Sequence, residues 1–107
     1  MNGKTEFEAI LFESMSEVLT DILGEPTKKL VLHYIANNEL LGEGDTARKP
    51  ELFQEGLDTF FDEGSMIIKK SIVKSLYSKM NLQYEPEGEF SFLKCIEHAE
   101  RACNPRH

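Results

Sequence analysis

Tryptophan is absent from this chain of 107 residues, and cysteine is scarce, with only two residues. Two cysteines cannot form the multiple disulfides that hold small secreted domains together. No apolar run approaches the roughly 20 residues that a membrane-spanning helix needs, so we expect no membrane partner. Residues 1–6 contain no apolar signal core, and we therefore expect a cytoplasmic protein whose thiols are reduced.

Basic residues are also in the minority: 12 lysines and arginines face 19 acidic residues, which gives a net charge of -7. Such a charge repels a phosphate backbone, so nucleic acid is not a favoured partner. Apolar residues make up 40% and charged residues 29% of the chain, which is typical of a folded globular protein. We expect residues 1–107 to form a single helical domain with an ordered core over about 5–103.

Catalytic motifs are missing as well. The chain has no G-x-S-x-G nucleophile elbow, no phosphate-cradling glycine loop and no H-E-x-x-H metal motif. The available nucleophiles are Ser14, Ser16, Ser71, Ser75 and Cys103, and no neighbour in the sequence activates any of them. We therefore predict that the protein is not an enzyme.

Metal-binding residue types do occur together near the C-terminus. Cys95, His98, Cys103 and His107 form the pattern Cys-x2-His-x4-Cys-x3-His. Structural zinc sites bring two ligand pairs from separate elements, and this spacing fits no standard zinc pattern. On one helix, a rise of 1.5 Å per residue separates the two cysteines by about 12 Å, beyond disulfide reach. We predict two core thiols beside a surface histidine, and no metal or other cofactor.

Apolar residues recur at helical spacing in five segments, which predicts an all-α or mostly α fold of five helices. A capping box, Thr5-x-x-Glu8, is expected to start the first helix, and Gly24 is expected to end it. The predicted helices cover about 5–23, 26–36, 50–61, 65–80 and 91–103. A Pro/Gly-containing turn at 85–89 lies between Leu82-Gln83-Tyr84 and Phe90-Ser91-Phe92, which predicts a short β-hairpin before the last helix.

Each helix has a predicted buried face. These faces comprise Phe7, Leu11, Met15, Val18, Leu19 and Ile22 in the first helix; Leu30, Val31, Tyr34 and Ile35 in the second; Leu52, Phe53, Leu57, Phe60 and Phe61 in the third; Ile68, Ile72, Val73, Leu76, Tyr77 and Met80 in the fourth; and Phe92, Cys95, Ile96, Ala99 and Cys103 in the fifth. Gly56 lies on the apolar side of the third helix, where it is either a tolerated helix glycine or a notch for another helix.

The first helix carries more apolar circumference than one core can cover. Ile10 lies on one margin of its stripe, and Phe12 and Leu23 lie on the other. Contiguous apolar surface left exposed normally marks an interface, and two-fold pairing is its commonest use. We therefore expect self-association as a homodimer through this helix.

Three lysines of the fourth helix complete the candidate interface. Lys69 falls within the apolar arc of that helix, where it either snorkels to water, the preferred interpretation, or pairs with an acid of another helix or subunit. Lys70 and Lys74 lie four residues apart on the outer face. They form a solvated basic strip or a docking patch for an acidic partner.

The order of these segments resembles a known family. The residue patterns that carry the resemblance are an N-terminal Phe-Glu-x-Ala/Ile-Leu, then Lys-Lys-x-Val-x-x-His-Tyr-Ile, Lys-Pro-Glu-Leu-Phe-x-x-Gly-Leu-x-x-x-Phe, x-Glu-Gly-Ser-x-x-Ile, Ile-Val-Lys-x-Leu-Tyr-x-Lys-Met and Phe-x-Phe-Leu-x-x-Ile. Together they span about Phe7 to Ala99 and are similar to the small archaeal modules called Nitrosopumilus output domains. One position departs from the family pattern, because Lys69 stands where an acid is expected. The resemblance implies a signalling or protein-interaction role, and it brings no catalytic residues with it.

The sequence therefore predicts a non-enzymatic interaction or output module of an archaeal signalling or regulatory system, with a protein partner of unknown identity. One alternative is a helix-turn-helix regulator that reads DNA through Lys28, Lys29 and His33 of the second helix. Another is a sensor of a small apolar ligand, which would bind in a pocket beside the phenylalanine-rich third helix. Salt-dependent DNA binding would favour the first alternative, and a co-purified apolar ligand the second.

Overall fold

The computed structural model describes residues 3–38, 49–84 and 88–103. These residues form a mostly helical fold, as predicted, and no strand is present among them. The helices are α1 (Gly3–Leu23), α2 (Glu25–Asn38), α3 (Pro50–Phe61), α4 (Ser65–Lys79) and α5 (Phe92–Cys103). A 3₁₀ turn, Asp62–Gly64, joins α3 directly to α4.

The hairpin expected before α5 is not found in the part of it that the structure describes. Residues 82–84 and 88–91 are not strands, and the centre of the expected turn, 85–87, lies outside the described residues. Leu82, Tyr84 and Phe90 instead pack their side chains against the core. The chain leaves α4 through Asn81, which has a φ of 58°, and the Leu82 amide donates to the Tyr77 carbonyl at 2.8 Å. This is the pattern of a helix C-terminal cap, so the residues that follow α4 form a cap and not the first residues of a strand.

Gly24 ends α1 as the sequence predicted. Its φ of 85° is costly for any residue with a Cβ, and its amide donates to the Thr20 carbonyl at 2.9 Å. The Lys28 amide already donates to the Gly24 carbonyl at 3.0 Å, so α2 begins at once. The prediction for the start of α1 was wrong. Thr5 lies inside a helix that already includes Gly3, where the backbone is helical and an N-cap residue cannot sit.

The core is built around the contact between α1 and α4. The helix α4 contacts α1, α3 and α5, whereas α2 contacts α1 and α3. The molecule measures 37 × 33 × 20 Å, and its short dimension matches two layers of helices that are each about 10–12 Å thick. The buried apolar residues are Phe7, Leu11, Met15, Val18, Leu19, Val31, Leu32, Ile35, Phe53, Leu57, Ile68, Ile72, Val73, Leu76, Tyr77, Phe92, Ile96 and Ala99.

The predicted buried face of α2 was partly wrong. Leu30 and Tyr34 are exposed, while Leu32 is buried with Val31 and Ile35. Lys28 lies on the same side as these buried residues, and its mostly buried side chain donates to Ser16 Oγ of α1 at 3.1 Å. Residues 28, 31, 32 and 35 form one helical stripe, and this stripe faces the core, whereas Leu30 and Tyr34 lie on the opposite side of α2.

Smaller corrections concern the other helices. Ile22 and Phe60 are exposed, because α1 packs its last turn through Leu19 and Leu23 and α3 packs through Phe53 and Leu57. The remaining differences are residues predicted to be buried that are half-buried at the edge of the core: Leu52, Phe61, Met80, Cys95 and Cys103.

Gly56 is a notch for α2 rather than a tolerated helix glycine. A Cβ built on this residue would lie 2.3 Å from Cγ1 and 2.7 Å from Cδ1 of Ile35, whose side chain is fully buried. Real Cβ atoms are not found that close to another carbon, so only glycine allows Ile35 to pack here. The contact determines how closely α2 approaches α3.

Candidate functional site

The three apolar residues expected at an interface on α1 are all half-buried. Ile10, Phe12 and Leu23 pack against the edge of the core. Phe12 also borders a shallow groove along the outer face of α1, beside Ala9 and Glu13. The two margins of the apolar stripe are therefore covered more than the sequence suggested. They remain a predicted interface.

Lys69 is paired, and the preferred snorkelling interpretation was wrong. Its Nζ donates to Asp58 Oδ1 of α3 at 2.9 Å, and its side chain is only 10% exposed. The hydroxyl of Ser65, one turn earlier on α4, donates a hydrogen bond to the same carboxylate oxygen, with an Oγ–Oδ1 distance of 2.5 Å. Asp58 is therefore the acceptor of a small polar cluster that holds α3 to α4 across the 3₁₀ turn. The acid comes from another helix of the same chain, which was one of the two pairings expected.

The charge of Asp58 is stabilised by its two donors. Partial burial alone would raise the pKa of Asp58, but the hydrogen bonds from Ser65 and Lys69 outweigh it, and the pKa is lowered. The Asp58 side chain is 50% exposed, so water still reaches this carboxylate. The buried lysine thus has a partner that is both charged and solvated, which is the condition for keeping an ammonium in a core.

The lysines of α4 that follow Lys69 lie at the surface. Lys70 and Lys74 are exposed, and Lys70 Nζ is 5.8 Å from the centroid of the Phe90 ring. Lys79, at the end of the helix, is different because its Nζ lies 3.2 Å from Glu13 and 2.5 Å from Glu17 of α1. The predicted basic strip is therefore real at Lys70 and Lys74, and it ends where α4 meets the acids of α1.

Of the six large apolar residues that are exposed in the described part of the chain, three lie where α2 meets α3, and the others are Ile22, Met66 and Ile67. Leu30 is 67%, Tyr34 40% and Phe60 42% exposed. The rings of Tyr34 and Phe60 make an edge-to-face contact with centroids 4.7 Å apart, and Leu30 lies one helical turn from Tyr34 on the same side of α2. These three residues are called the apolar surface below. The sequence missed this surface because all three residues belong to stripes that look like core.

A second surface feature is the α4–α5 cleft, with a volume of about 550 Å³. Its chemically distinctive lining residues are Lys70, Tyr77, Tyr84, Phe90, Lys94 and His98. The Tyr77 hydroxyl donates to the Cys95 carbonyl at 2.8 Å, which ties α4 to α5 at the base of the cleft. Burial, with Cys95 beside it, raises the pKa of Tyr77 to about 12, so the hydroxyl stays protonated as a donor. The only hint in the sequence was the pair of aromatic segments around the turn before α5.

Three of the five candidate nucleophiles, Ser14, Ser16 and Cys103, are hydrogen-bonded or kept protonated, and the other two, Ser71 and Ser75, are half-buried on α4. Ser14 is buried and donates to the Ile10 carbonyl at 3.1 Å, and Ser16 accepts from Lys28. Burial raises the pKa of Cys95 and of Cys103, which keeps both thiols protonated near neutral pH. Among the described residues, no group of three or more His, Cys, Asp or Glu is placed to hold a metal ion. His107 of the Cys/His pattern lies outside them.

Some of the residues behind the two alternative functions are arranged unfavourably for those roles, whereas Lys29 and His33 of α2 are exposed. Lys28 lies 2.6 Å from Glu25, and that contact lowers the pKa of Glu25, so this lysine is already neutralised. Gly24 alone separates α1 from α2, whereas a DNA-reading helix-turn-helix needs a turn of three or four residues. Phe53, one of the phenylalanines of α3, beside which an apolar-ligand pocket was expected, is fully buried in the core.

Comparison with protein-family models, with curated proteins and with solved structures finds no match to this chain. The resemblance to the Nitrosopumilus output domains therefore stays a prediction. None of the helices in the described part of the chain is long and apolar enough to cross a lipid bilayer.

Proposed function

We propose that the protein is a non-enzymatic interaction module that pairs with a second copy of itself through the apolar surface. The observation that carries this proposal is Leu30, which is 67% exposed although it lies one turn from the Tyr34–Phe60 ring pair. A contiguous apolar patch costs free energy in water and normally marks an interface. Two-fold pairing places the same patch of each protomer against its counterpart, and it is the commonest closed arrangement of identical chains.

The position of α2 in the fold supports the same proposal. α2 contacts only α1 and α3 among the described elements, and these elements leave its outer side uncovered. Aromatic residues are enriched at the centres of protein interfaces, and Tyr34 and Phe60 are already ordered against each other. Ordered rings lose less conformational entropy on binding than flexible side chains do.

The signalling role is proposed from the residue pattern of about Phe7 to Ala99, which resembles archaeal output domains. Those modules stand alone or are joined to regulatory modules, and pairing of output modules is a simple way to transmit a signal. The absence of catalysis is proposed because the serines and thiols described above are buried, hydrogen-bonded or protonated. The protein therefore acts in this proposal by binding.

Sedimentation equilibrium tests the pairing. The wild-type chain is measured from about 10 to 300 μM, a range that corresponds to dimers held by roughly 5 to 7 kcal/mol. We expect a dimer for the wild type and a folded monomer for Leu30→Glu, because pairing would bury the new carboxylate in an apolar interface. Added salt should tighten the wild-type dimer, because the net charge of -7 on each chain opposes pairing.

Two further variants serve as controls. Ser78→Glu adds the same charge at an exposed position of α4 and should leave the dimer intact. Phe12→Glu tests the α1 margin; because Phe12 packs against the core, we expect lower stability by chemical denaturation and an unchanged dimer. A wild-type monomer at 300 μM would refute the pairing. A dimer that survives Leu30→Glu but is lost in Phe12→Glu would move the interface to α1.

A further inference from the structure

The α4–α5 cleft has the shape of a small-molecule site. Lys70 and Tyr77 lie seven residues apart on α4, and Lys94 and His98 lie four apart on α5, so each pair shares one face of its helix. These two faces form the walls of the cleft. Its volume of about 550 Å³ lies within the range of roughly 300–1,000 Å³ that is usual for sites of drug-sized ligands.

Aromatic rings line this cleft in a fixed arrangement. Tyr77 and Tyr84 make an edge-to-face contact with centroids 5.8 Å apart. Tyr77 cannot move freely, because it is buried and its hydroxyl is bonded to the Cys95 carbonyl. Phe90, two residues before the start of α5, supplies a third ring to the lining. A flat aromatic ligand gains stacking or edge contacts from such rings without first having to order them.

Among the residues that the structure describes, the charges lining the cleft are mainly positive, in contrast to the net charge of -7 of the whole chain. Lys70 and Lys94 line it there, against one described acid, Glu89. Within the described residues Lys28, Lys69 and Lys79 are paired with acids, whereas neither Lys70 nor Lys94 forms an ion pair. Two ammonium groups without an acidic partner, one of them 5.8 Å from the Phe90 ring centroid, complement a ligand that is both aromatic and negatively charged.

We propose that the α4–α5 cleft binds a small aromatic anion, with its ring against Tyr84 and Phe90 and its negative group near Lys70 and Lys94. This site shares no residue with the apolar surface, so it goes beyond the proposed pairing and does not depend on it. It also differs from the apolar-ligand pocket expected beside α3, both in its place and in the charge it selects.

Two fluorescent probes of similar shape test the proposal. Anilinonaphthalenesulfonate is an aromatic anion, and phenylnaphthylamine is its neutral counterpart. We expect the wild-type protein to bind the anion about tenfold more tightly than the neutral probe, since tenfold corresponds to the modest worth of a charge contact. Salt should weaken binding of the anion and leave the neutral probe almost unchanged, because only the former interaction is screened.

Variants of the lining separate the charge from the rings. Lys70→Gln combined with Lys94→Gln should weaken binding of the anionic probe about tenfold and hardly change binding of the neutral one. Glu89→Gln should tighten binding of the anionic probe, because it removes the opposing charge. Tyr84→Ala should weaken binding of both probes. Lys74→Gln is the matched control: this lysine is exposed on α4 outside the lining, and its removal should change either affinity less than about twofold.

The variant Leu30→Glu locates the probe. Binding that is unchanged in Leu30→Glu and reduced in Tyr84→Ala assigns the probe to the cleft, provided that near-ultraviolet circular dichroism shows both variants folded. The proposal is overturned if the anionic probe does not bind at about 1 mM, an affinity of roughly 4 kcal/mol. It is equally overturned if Leu30→Glu abolishes binding, or if the lysine variants weaken both probes alike.

Discussion

The helices α4 and α2 show how differently two amphipathic helices are used in one small fold. α4 contacts α1, α3 and α5, and its apolar stripe from Ile68 to Tyr77 is buried, although Met66 and Ile67 in its first turn are exposed. α2 contacts α1 and α3 only, and it leaves Leu30 and Tyr34 exposed. A helix with neighbours on three sides contributes to stability along its whole face. A helix at the edge of the fold contributes to stability through one buried stripe only. Its other apolar residues stay exposed to solvent, and a partner is expected to bind there.

The same substitution in the two helices gives the largest expected contrast. Leu76→Ala should destabilise the protein by about 3 kcal/mol, because it leaves a cavity in a fully packed core. Leu30→Ala should change the free energy of unfolding of the monomer by less than about 0.5 kcal/mol, since most of that side chain is already in water. Urea denaturation of both variants at low protein concentration measures the difference.

Two results of that measurement would contradict the different roles of α2 and α4. If Leu30→Ala costs more than about 1.5 kcal/mol, α2 is buried on its outer side and the apolar surface does not exist. If Leu76→Ala is as mild as Leu30→Ala, α4 is not the centre of the core. Repeating the Leu30→Ala measurement at high protein concentration should reveal a larger cost, because the dimer adds to the stability of the wild type.

Most of the fold could be predicted from the sequence because it follows from local rules. The predictions that failed depend on contacts between distant segments. The stripe of α4 and the stop at Gly24 follow from local rules of spacing and backbone conformation. The buried face of α2 does not, because it includes a lysine, Lys28, whose hydrogen bond to Ser16 of α1 exists only in the folded chain. The sequence likewise left two alternatives for Lys69, snorkelling or pairing with an acid. Its partner Asp58 lies on another helix, so local spacing could not decide between them.

The candidate sites were harder to predict than the helices. Leu30, Tyr34 and Phe60 have the spacing of core residues, and no pattern in the sequence distinguishes an apolar residue that meets the core from one that meets a partner. The α4–α5 cleft combines residues from α4, α5 and the segment between them, so it exists only once these pack together. The sequence singled out the lysines of α4 as unusual. Only the tertiary contacts show that Lys69 is buried and paired with Asp58, whereas Lys70 and Lys74 are exposed.

The contact of α2 with α3 at Gly56 gives the second test. Gly56→Ala should destabilise the protein by about 2 kcal/mol, because overpacking against Ile35 outweighs the gain of about 1 kcal/mol in helix propensity. In an Ile35→Ala background, Cγ1 and Cδ1 are gone, and the nearest remaining atom to the new methyl group is Cβ of residue 35, at 3.5 Å. There Gly56→Ala should be neutral or stabilising.

A double-mutant cycle by chemical denaturation measures this coupling. We expect an interaction free energy of about 2 to 3 kcal/mol, as for side chains in direct contact. Equal costs of Gly56→Ala in both backgrounds would show that α2 does not approach α3 at this point. Glu55→Ala, at the neighbouring exposed position, is the control and should lie within about 0.5 kcal/mol of the wild type.

The smallest expected effect concerns the polar cluster between α3 and α4, and it depends on pH. Asp58→Asn should destabilise the protein by about 1.5 kcal/mol at pH 7, because it leaves the ammonium of Lys69 buried without a counter-charge. The cost is kept below that of a fully buried pair because half of the Asp58 side chain is exposed. Lys69→Met removes the buried charge instead and keeps the packing, so it should stay within about 1 kcal/mol of the wild type.

The pKa of Asp58 fixes the direction of the pH effect. Because this pKa is lower in the folded than in the unfolded chain, the stabilisation is present above the unfolded value and is lost as the pH falls through the folded value. The difference between wild type and Asp58→Asn should therefore stay constant from about pH 7 to 5 and shrink below about pH 4. Glu63→Gln, exposed in the same turn, should show no such difference. A cost of Asp58→Asn that persists unchanged at about pH 2.5 would mean that the shape of the aspartate, and not its charge, holds α3 to α4.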